Sequence, residues 1–132
     1  MKFLIIDDAL MSRRILVNSL RKAGYDDIIE AQHGEEALQI LKTEQVDFII
    51  TDWNMPRMNG LQLVQAIREK EQLKDLPILM VTGRDTQKDV MNAIKARVNG
   101  YIVKPFMPQV IRNKIEAILK HQSGEQDEQP QA

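Results

Sequence analysis

Two rhythms of hydrophobic and polar positions alternate along the chain. Short apolar runs of strand length are separated by stretches in which apolar residues recur every three or four positions. The runs at 3–6, 28–31, 48–51, 77–81 and 101–103 predict strands. The stretches at 11–23, 35–42, 61–70, 85–97 and 108–120 predict helices. Their inward faces are expected to carry Ile15, Leu16 and Leu20, then Ala37, Leu38 and Leu41, then Leu61, Val64 and Ile67. The fourth should carry Val90, Met91 and Ile94, and the last Ile111, Ile115, Ile118 and Leu119. Gly24 closes the first helix, and Pro108 suits the first turn of the last. Pro77 opens its strand, where no ladder donor is lost. Five βα units in succession predict an α/β fold, a doubly wound parallel sheet covered by helices on both faces. The run Ile28-Ile29-Glu30-Ala31 is half polar and reads as an edge strand.

Composition narrows the function classes. A chain of 132 residues implies one domain with an ordinary core. The net charge of -1 offers no electrostatic footprint for nucleic acid and no polybasic membrane anchor. The absence of cysteine excludes disulfides and thiolate metal sites. No segment approaches the roughly 20 apolar residues of a membrane span. The first apolar run is too short for a signal peptide and is interrupted by acids. A cytoplasmic protein is expected. From Ser123 to Ala132 no aliphatic residue larger than alanine occurs. A domain over 1–121 and a disordered tail over 122–132 are therefore expected.

Ligands of open α/β sheets sit outside the carboxyl ends of the strands, near a switch in strand order. Asp7-Asp8 follows the first strand, Asp52 the third, Thr82-Gly83 the fourth and Lys104-Pro105 the fifth. Only Gln32-His33-Gly34 follows the edge strand. The four polar ends converge if the strand order is 2-1-3-4-5. Taken singly, each has an ordinary reading as a turn or helix cap. Their differing charge and joint placement at one edge are not what caps alone produce.

Clustered carboxylates need relief. Two like charges about 4 Å apart repel by about 4 kcal/mol at an effective dielectric of about 20. Relief comes from proton uptake or from a hard divalent cation. Mg2+ suits two or three carboxylates and keeps several waters, and no imidazole or thiol lies in the pattern to favour zinc. Aspartate forms aspartyl-phosphate as a covalent nucleophile, and phosphoryl transfer is mostly positioning and charge neutralisation.

The sequence at this point resembles the receiver domains of two-component response regulators. Asp7-Asp8, Asp52, Thr82 and Lys104-Pro105 stand in the family's order, over Lys2 to about Leu119. The stretches "DWNMP", "PILMVTG" and "GYIVKPF" are similar to the single-domain chemotaxis branch. The resemblance implies a flavodoxin-like (βα)5 fold and a stand-alone, monomeric switch rather than an enzyme. Asp52 would accept a phosphoryl group from a histidine kinase. Asp8, Asp52 and the Asn54 backbone carbonyl would ligate Mg2+, with Asp7 acting through water. Lys104 would pair with a phosphoryl oxygen, Thr82 would move to hydrogen-bond the group, and Tyr101 would turn inward with it. Pro105 would follow a cis peptide bond.

The implied output is docking on a target such as the flagellar motor switch, with Lys88, Lys95, Phe106 and Lys114 as candidate contacts. A phosphatase is a further implied partner. A phosphorelay intermediate or phosphate sink outside chemotaxis is the alternative output. Departures from the family pattern are Ala9 for a bulkier residue common in the chemotaxis branch and Arg84 where the best-known chemotaxis member carries an acid. Arg97-Val98 stand in place of small residues, which predicts that the helix cap shifts to Asn99-Gly100.

Two other classes fit less well. A haloacid-dehalogenase-type hydrolase carries a second Asp two residues after its nucleophile, where Asn54 stands here. A flavodoxin-like FMN carrier needs a Ser/Thr/Gly-rich phosphate loop after the first strand, where acids stand. Among the remaining residues, Met55, Met58, Met80, Met91 and Met107 read as packing and His33 as a loop residue. His121 reads as a helix-end charge and Arg13-Arg14 as a solvated helix face. Trp53 reads as a packing residue rather than a site residue, and in an exposed loop beside the nucleophile it is usable as a fluorescence reporter.

Overall fold

The apolar strand runs form the five-stranded parallel sheet in the order β2-β1-β3-β4-β5. The computed structural model describes residues 1–124. In chain order its elements are β1 (Phe3–Ile6), α1 (Leu10–Lys22), β2 (Ile28–Ala31), α2 (Gly34–Thr43), β3 (Phe48–Thr51), α3 (Gly60–Arg68), β4 (Ile78–Thr82), α4 (Gln87–Lys95), β5 (Gly100–Val103) and α5 (Pro108–Gln122). A short 3-10 turn, Glu71–Leu73, was not foreseen in the sequence. Helix α5 runs through Gln122, and the part of the expected disordered tail over 125–132 lies outside the described residues. No described helix is long and apolar enough to cross a membrane.

Alternation along each strand sends its side chains to two faces. Phe3, Ile5, Phe48, Ile50, Leu79 and Val81 pack under α1 and α5, against Leu16, Leu20, Ile111, Ile115 and Ile118. Leu4, Ile6, Ile49, Ile78 and Met80 pack under α2, α3 and α4, against Ala37, Leu63, Val64, Ile67 and Ala93. Pairing of Ile6 with Thr51, Thr51 with Met80 and Thr82 with Val103 brings the carboxyl ends of four strands to one edge.

Three inward assignments are corrected. Ile15 is 53% exposed, because α1 turns Leu16, Val17 and Leu20 to the sheet and Ile15 lies about 100° round from Leu16. On α4 the buried contact is Ala93, and Met91 and Ile94 face outward at 46% and 53% exposure. With Val103 of β5, also exposed, they leave apolar surface on that side. Leu63, absent from the expected face of α3, is fully buried.

The cap of α4 also differs from expectation. The reversal falls on Arg97, at φ 72, while Gly100 already belongs to β5. A neighbouring network accounts for this. Arg68 is buried at the end of α3 and donates to the carbonyls of Arg97 (2.8 Å), Lys74 (3.0 Å) and Leu76 (2.7 Å). Asn99 Oδ1 accepts from Arg68 (3.0 Å) and from the Ile78 N–H (2.8 Å). The turn must present the Arg97 carbonyl to this guanidinium and keep Asn99 beside β4, so Arg97 takes the left-handed conformation. Burial lowers the pKa of Arg68, and the charge of Arg97 adds to that shift. The carbonyl acceptors solvate a cation that would otherwise be costly to bury.

A non-glycine residue at positive φ costs about 1–2 kcal/mol, partly offset in a glycine variant by its larger unfolded-state entropy. Arg97→Gly is therefore expected to raise stability by about 0.5–1 kcal/mol in urea denaturation. A lower midpoint would mean that the Arg97 side chain contributes more than its backbone strain costs.

Candidate functional site

The site is assembled by backbone hydrogen bonds that carry the sheet one residue past its strands. The Asp7 N–H donates to Ala31 O (3.2 Å), Asp52 N–H to Ile6 O (3.0 Å) and Lys104 N–H to Thr82 O (2.9 Å). Asp7 and Asp52 thus leave neighbouring strands side by side, and Lys104 leaves the same edge from β5, beyond β4. The Lys104 ammonium donates to Asp7 Oδ2 (3.2 Å), Asp52 Oδ2 (3.0 Å) and Ser12 Oγ (2.6 Å). Asp7 is fully buried, Asp52 is 8% exposed, and the Lys104–Pro105 bond is cis, as expected.

Lys104 stands between the Asp7 and Asp52 carboxylates. Asp8 points to solvent, and among the described residues no three Asp, Glu, His or Cys side chains form a metal cage. Burial pulls the pKa of Lys104 down, but the hydrogen bond and charge of Asp52, and then those of Asp7, outweigh it and raise the value above 10.5. The stabilising contribution of the charged lysine is therefore complete below the ordinary lysine value. It is lost only as pH rises through the higher folded one.

The carboxylates are held by local geometry. Asp7 Oδ1 accepts from the Ala9 N–H (3.0 Å) and Oδ2 from the Ser12 hydroxyl (2.5 Å). Arg13, expected on a solvated face, is buried. It donates to the Asp7 carbonyl (2.7 Å) and pairs with Glu30 of β2 (2.8 Å). Asp52 Oδ1 accepts from the N–H groups of Trp53 (2.5 Å) and, weakly, Asn54 (3.4 Å). The loop after Asp52 folds back so that the Gly60 N–H reaches Trp53 O at 2.7 Å. A Cβ at position 60 would lie 2.1 Å from Asp52 O and 2.8 Å from Trp53 Cα, so only glycine admits this closure. The sequence marks Gly60 only as a turn; its contact with the Asp52 backbone required the fold.

The mouth of the site belongs to Arg84. Its guanidinium donates to Asn54 Oδ1 (2.9 Å), lies 4.7 Å from the centre of the Trp53 ring and pairs with Asp89 (3.3 Å). Trp53 is a packing residue, as expected, but its side chain is not exposed: it is only 5% exposed, joins the core and is covered by Arg84. A cleft of about 410 Å³ is lined by Asp8, Asn54, Met55, Pro56, Asn59 and Arg84. Thr82 is fully buried, and its hydroxyl accepts a long bond from the Arg84 N–H (3.4 Å). The Tyr101 hydroxyl donates to Arg84 O at 2.9 Å. Burial raises the pKa of that phenol, Asp89 adds to the rise, and Arg84 opposes it. His33 caps α2 by accepting from the Glu36 N–H, away from the site.

The chemistry of this edge is hard and anionic. Its carboxylates and carbonyls are oxygen donors, with no thiol in the chain. Asp8 makes no hydrogen bond or ion pair with any described residue. An open, oxygen-only set fits Mg2+, which keeps several waters and needs one or two carboxylates rather than a closed cage.

Known proteins resemble this chain along most of its length. The family described as response regulator receiver domain matches residues 3–116. A chemotaxis protein CheY homolog of Campylobacter jejuni is 51% identical over 126 residues, covering 95% of this chain and 97% of that protein. Chemotaxis protein CheY of Pseudomonas aeruginosa is 47% identical over 124 residues, covering 94% of this chain and all of that protein (100%). Among solved structures, Vibrio cholerae chemotaxis protein CheY4 superposes with a TM-score of 0.82 at 33% identity, covering 89% of this chain and 97% of that one.

Because its added carbon would meet backbone rather than a movable side chain, Gly60→Ala is expected to cost about 3 kcal/mol, the upper end for overpacking. The same variant should shift Trp53 emission toward that of a solvated indole. Unchanged emission and an unchanged urea midpoint would show that the loop closes without needing glycine.

Proposed function

The chain belongs to the response regulator receiver domain family, and we propose that it is a phosphorylation-gated chemotaxis switch acting through Asp52. The observation that carries this reading is the Lys104 ammonium, bonded at once to Asp52 and Asp7 at the joint carboxyl ends of the sheet. An Asp52 oxygen attacks the phosphorus of a kinase phosphohistidine. The P–N bond breaks, its electron pair returns to the imidazole, and an acyl phosphate forms on Asp52. Asp8, Asp52 and the Asn54 carbonyl would hold Mg2+, with Asp7 reached through water. Bound there, Mg2+ neutralises charge on the phosphoryl oxygens.

Phosphorylation replaces one carboxylate charge with about -1.5 to -2. Lys104 exchanges the Asp52 carboxylate for a phosphoryl oxygen, and Thr82, the last buried residue of β4, turns its hydroxyl toward the same group. Movement of Thr82 pulls on the loop whose Arg84 carbonyl holds the Tyr101 hydroxyl. Tyr101 then transmits the change to the side of α4, β5 and α5. The exposed Met91, Ile94 and Val103 of that side support a docking surface for a motor-switch type of target. Lys88, Lys95, Phe106 and Lys114 are the flanking contacts proposed. The relatives' chemotaxis names support this output, and a cytoplasmic setting among a histidine kinase, a target and a phosphatase follows from it. A hydrolase reading finds less support, because Asn54 is engaged by Arg84 and is no general acid.

Acetyl phosphate with Mg2+ is expected to add one phosphoryl group to Asp52, read by intact mass and peptide mapping. Label retained in Asp52→Asn would move the acceptor elsewhere. Mg2+ titration should quench Trp53, and Asp8→Ala should weaken that binding by about tenfold or more, as for loss of a charged ligand. An identical titration in the variant would remove Asp8 from the cation site.

A further inference from the structure

Ser12 lies in the first turns of α1, and its hydroxyl does nothing for the helix. Serine within a helix commonly bonds the carbonyl four residues back, as Ser19 does with Ile15 O at 2.8 Å. Ser12 instead points across to the sheet edge. Its Oγ is 2.6 Å from Lys104 Nζ and 2.5 Å from Asp7 Oδ2. An ammonium has donors only. The hydroxyl must therefore accept from Lys104 and spend its single proton on Asp7. With Asp7, Ser12 and Asp52 as acceptors, all three ammonium protons of Lys104 are used.

We propose that Ser12 is a positioning residue for phosphoryl transfer, holding the Lys104 ammonium where it can pass from the Asp52 carboxylate to the incoming phosphoryl oxygen. Lysine carries its charge on a flexible four-carbon stem with three rotatable donors. Its two carboxylate partners are the ones that phosphorylation and cation binding draw away. Ser12 is the remaining partner. It is neutral, so it does not compete for the cation, and it stands on a packed helix flanked by the buried Arg13. An apolar side chain at position 12 would leave one ammonium proton without this acceptor, and Lys104 free to settle on Asp7. The proposal deepens the phosphorylation reading of Asp52 and rests on it for its kinetic part only.

The test compares Ser12→Ala and Ser12→Thr with the wild type, after thermal melts show all three folded. In metal-free, 15N-labelled protein, the Lys104 ammonium should give an exchange-protected NMR correlation in the wild type and Ser12→Thr, and lose it in Ser12→Ala. With acetyl phosphate and saturating Mg2+, Ser12→Ala should be phosphorylated about tenfold more slowly, the loss of one hydrogen bond to a charged group. Ser12→Thr should stay within about twofold of the wild type. The proposal is overturned by a Lys104 signal unaffected in Ser12→Ala, by its absence from the wild type, or by Ser12→Thr failing to rescue the rate. A wild type that is not phosphorylated at all would sink the Asp52 reading instead, while the metal-free ammonium signal would still decide the role of Ser12.

Discussion

A single ammonium group reconciles the fold with its own edge. Parallel strands in register end at the same level, and this sequence ends two neighbouring strands in aspartate. One of those carboxylates is fully buried and the other nearly so. Left alone, two like charges at neighbouring strand ends would repel. Lys104, delivered by β5 from the far side of β4, bridges the gap to both. The bridge compensates the burial of two carboxylates, and it makes the edge responsive: anything that changes the charge on Asp52 changes what Lys104 must do.

The rest of the molecule keeps that bridge in place and reads it out. Arg13 clamps the Asp7 backbone to β2, Gly60 lets the following loop close on the Asp52 carbonyl, and Ser12 shares the ammonium from α1. On the other side, the backbone of Lys104 is bonded to Thr82, Thr82 to Arg84, and Arg84 to both Tyr101 and Asn54. Contacts of this kind link a local charge change to a two-state surface element, as in other modification switches. The basic residue at position 84 ties the mouth of the site to the tryptophan beneath it.

Much of this was legible in the sequence, and the illegible part has physical causes. Strand length and alternation revealed the βα order, the order 2-1-3-4-5 came with the family resemblance, and polar residues placed after apolar runs pointed to Asp7, Asp52, Thr82 and Lys104 at one edge, while Asp8 faces solvent. Periodicity failed where adjacent apolar residues competed for one face, as with Ile15 beside Leu16, or where a small residue such as Ala93 made the contact and left Met91 and Ile94 outside. It also missed buried cations. Arg13 and Arg68 resemble surface arginines in sequence; in the fold Arg13 meets the Asp7 carbonyl and the Glu30 carboxylate, and Arg68 meets a set of backbone carbonyls that includes that of Arg97. Ser12 and Gly60 carried no distinguishing signal, since a serine in a helix and a glycine at a turn are ordinary until the opposing atoms are known. The strain at Arg97 came from a partner, Arg68, 29 residues away.

The central claim is that the Lys104 bridge carries the state of Asp52 to the far side of the sheet. Backbone amide NMR of the protein with Mg2+ and beryllofluoride, a non-covalent stand-in for the phosphoryl group, tests it directly when repeated in Lys104→Met. In the wild type, shifts should reach Thr82, Arg84, Tyr101 and α4, and in the variant they should be confined to residues adjoining Asp52. Shifts at Tyr101 and α4 as large in Lys104→Met as in the wild type would contradict the account.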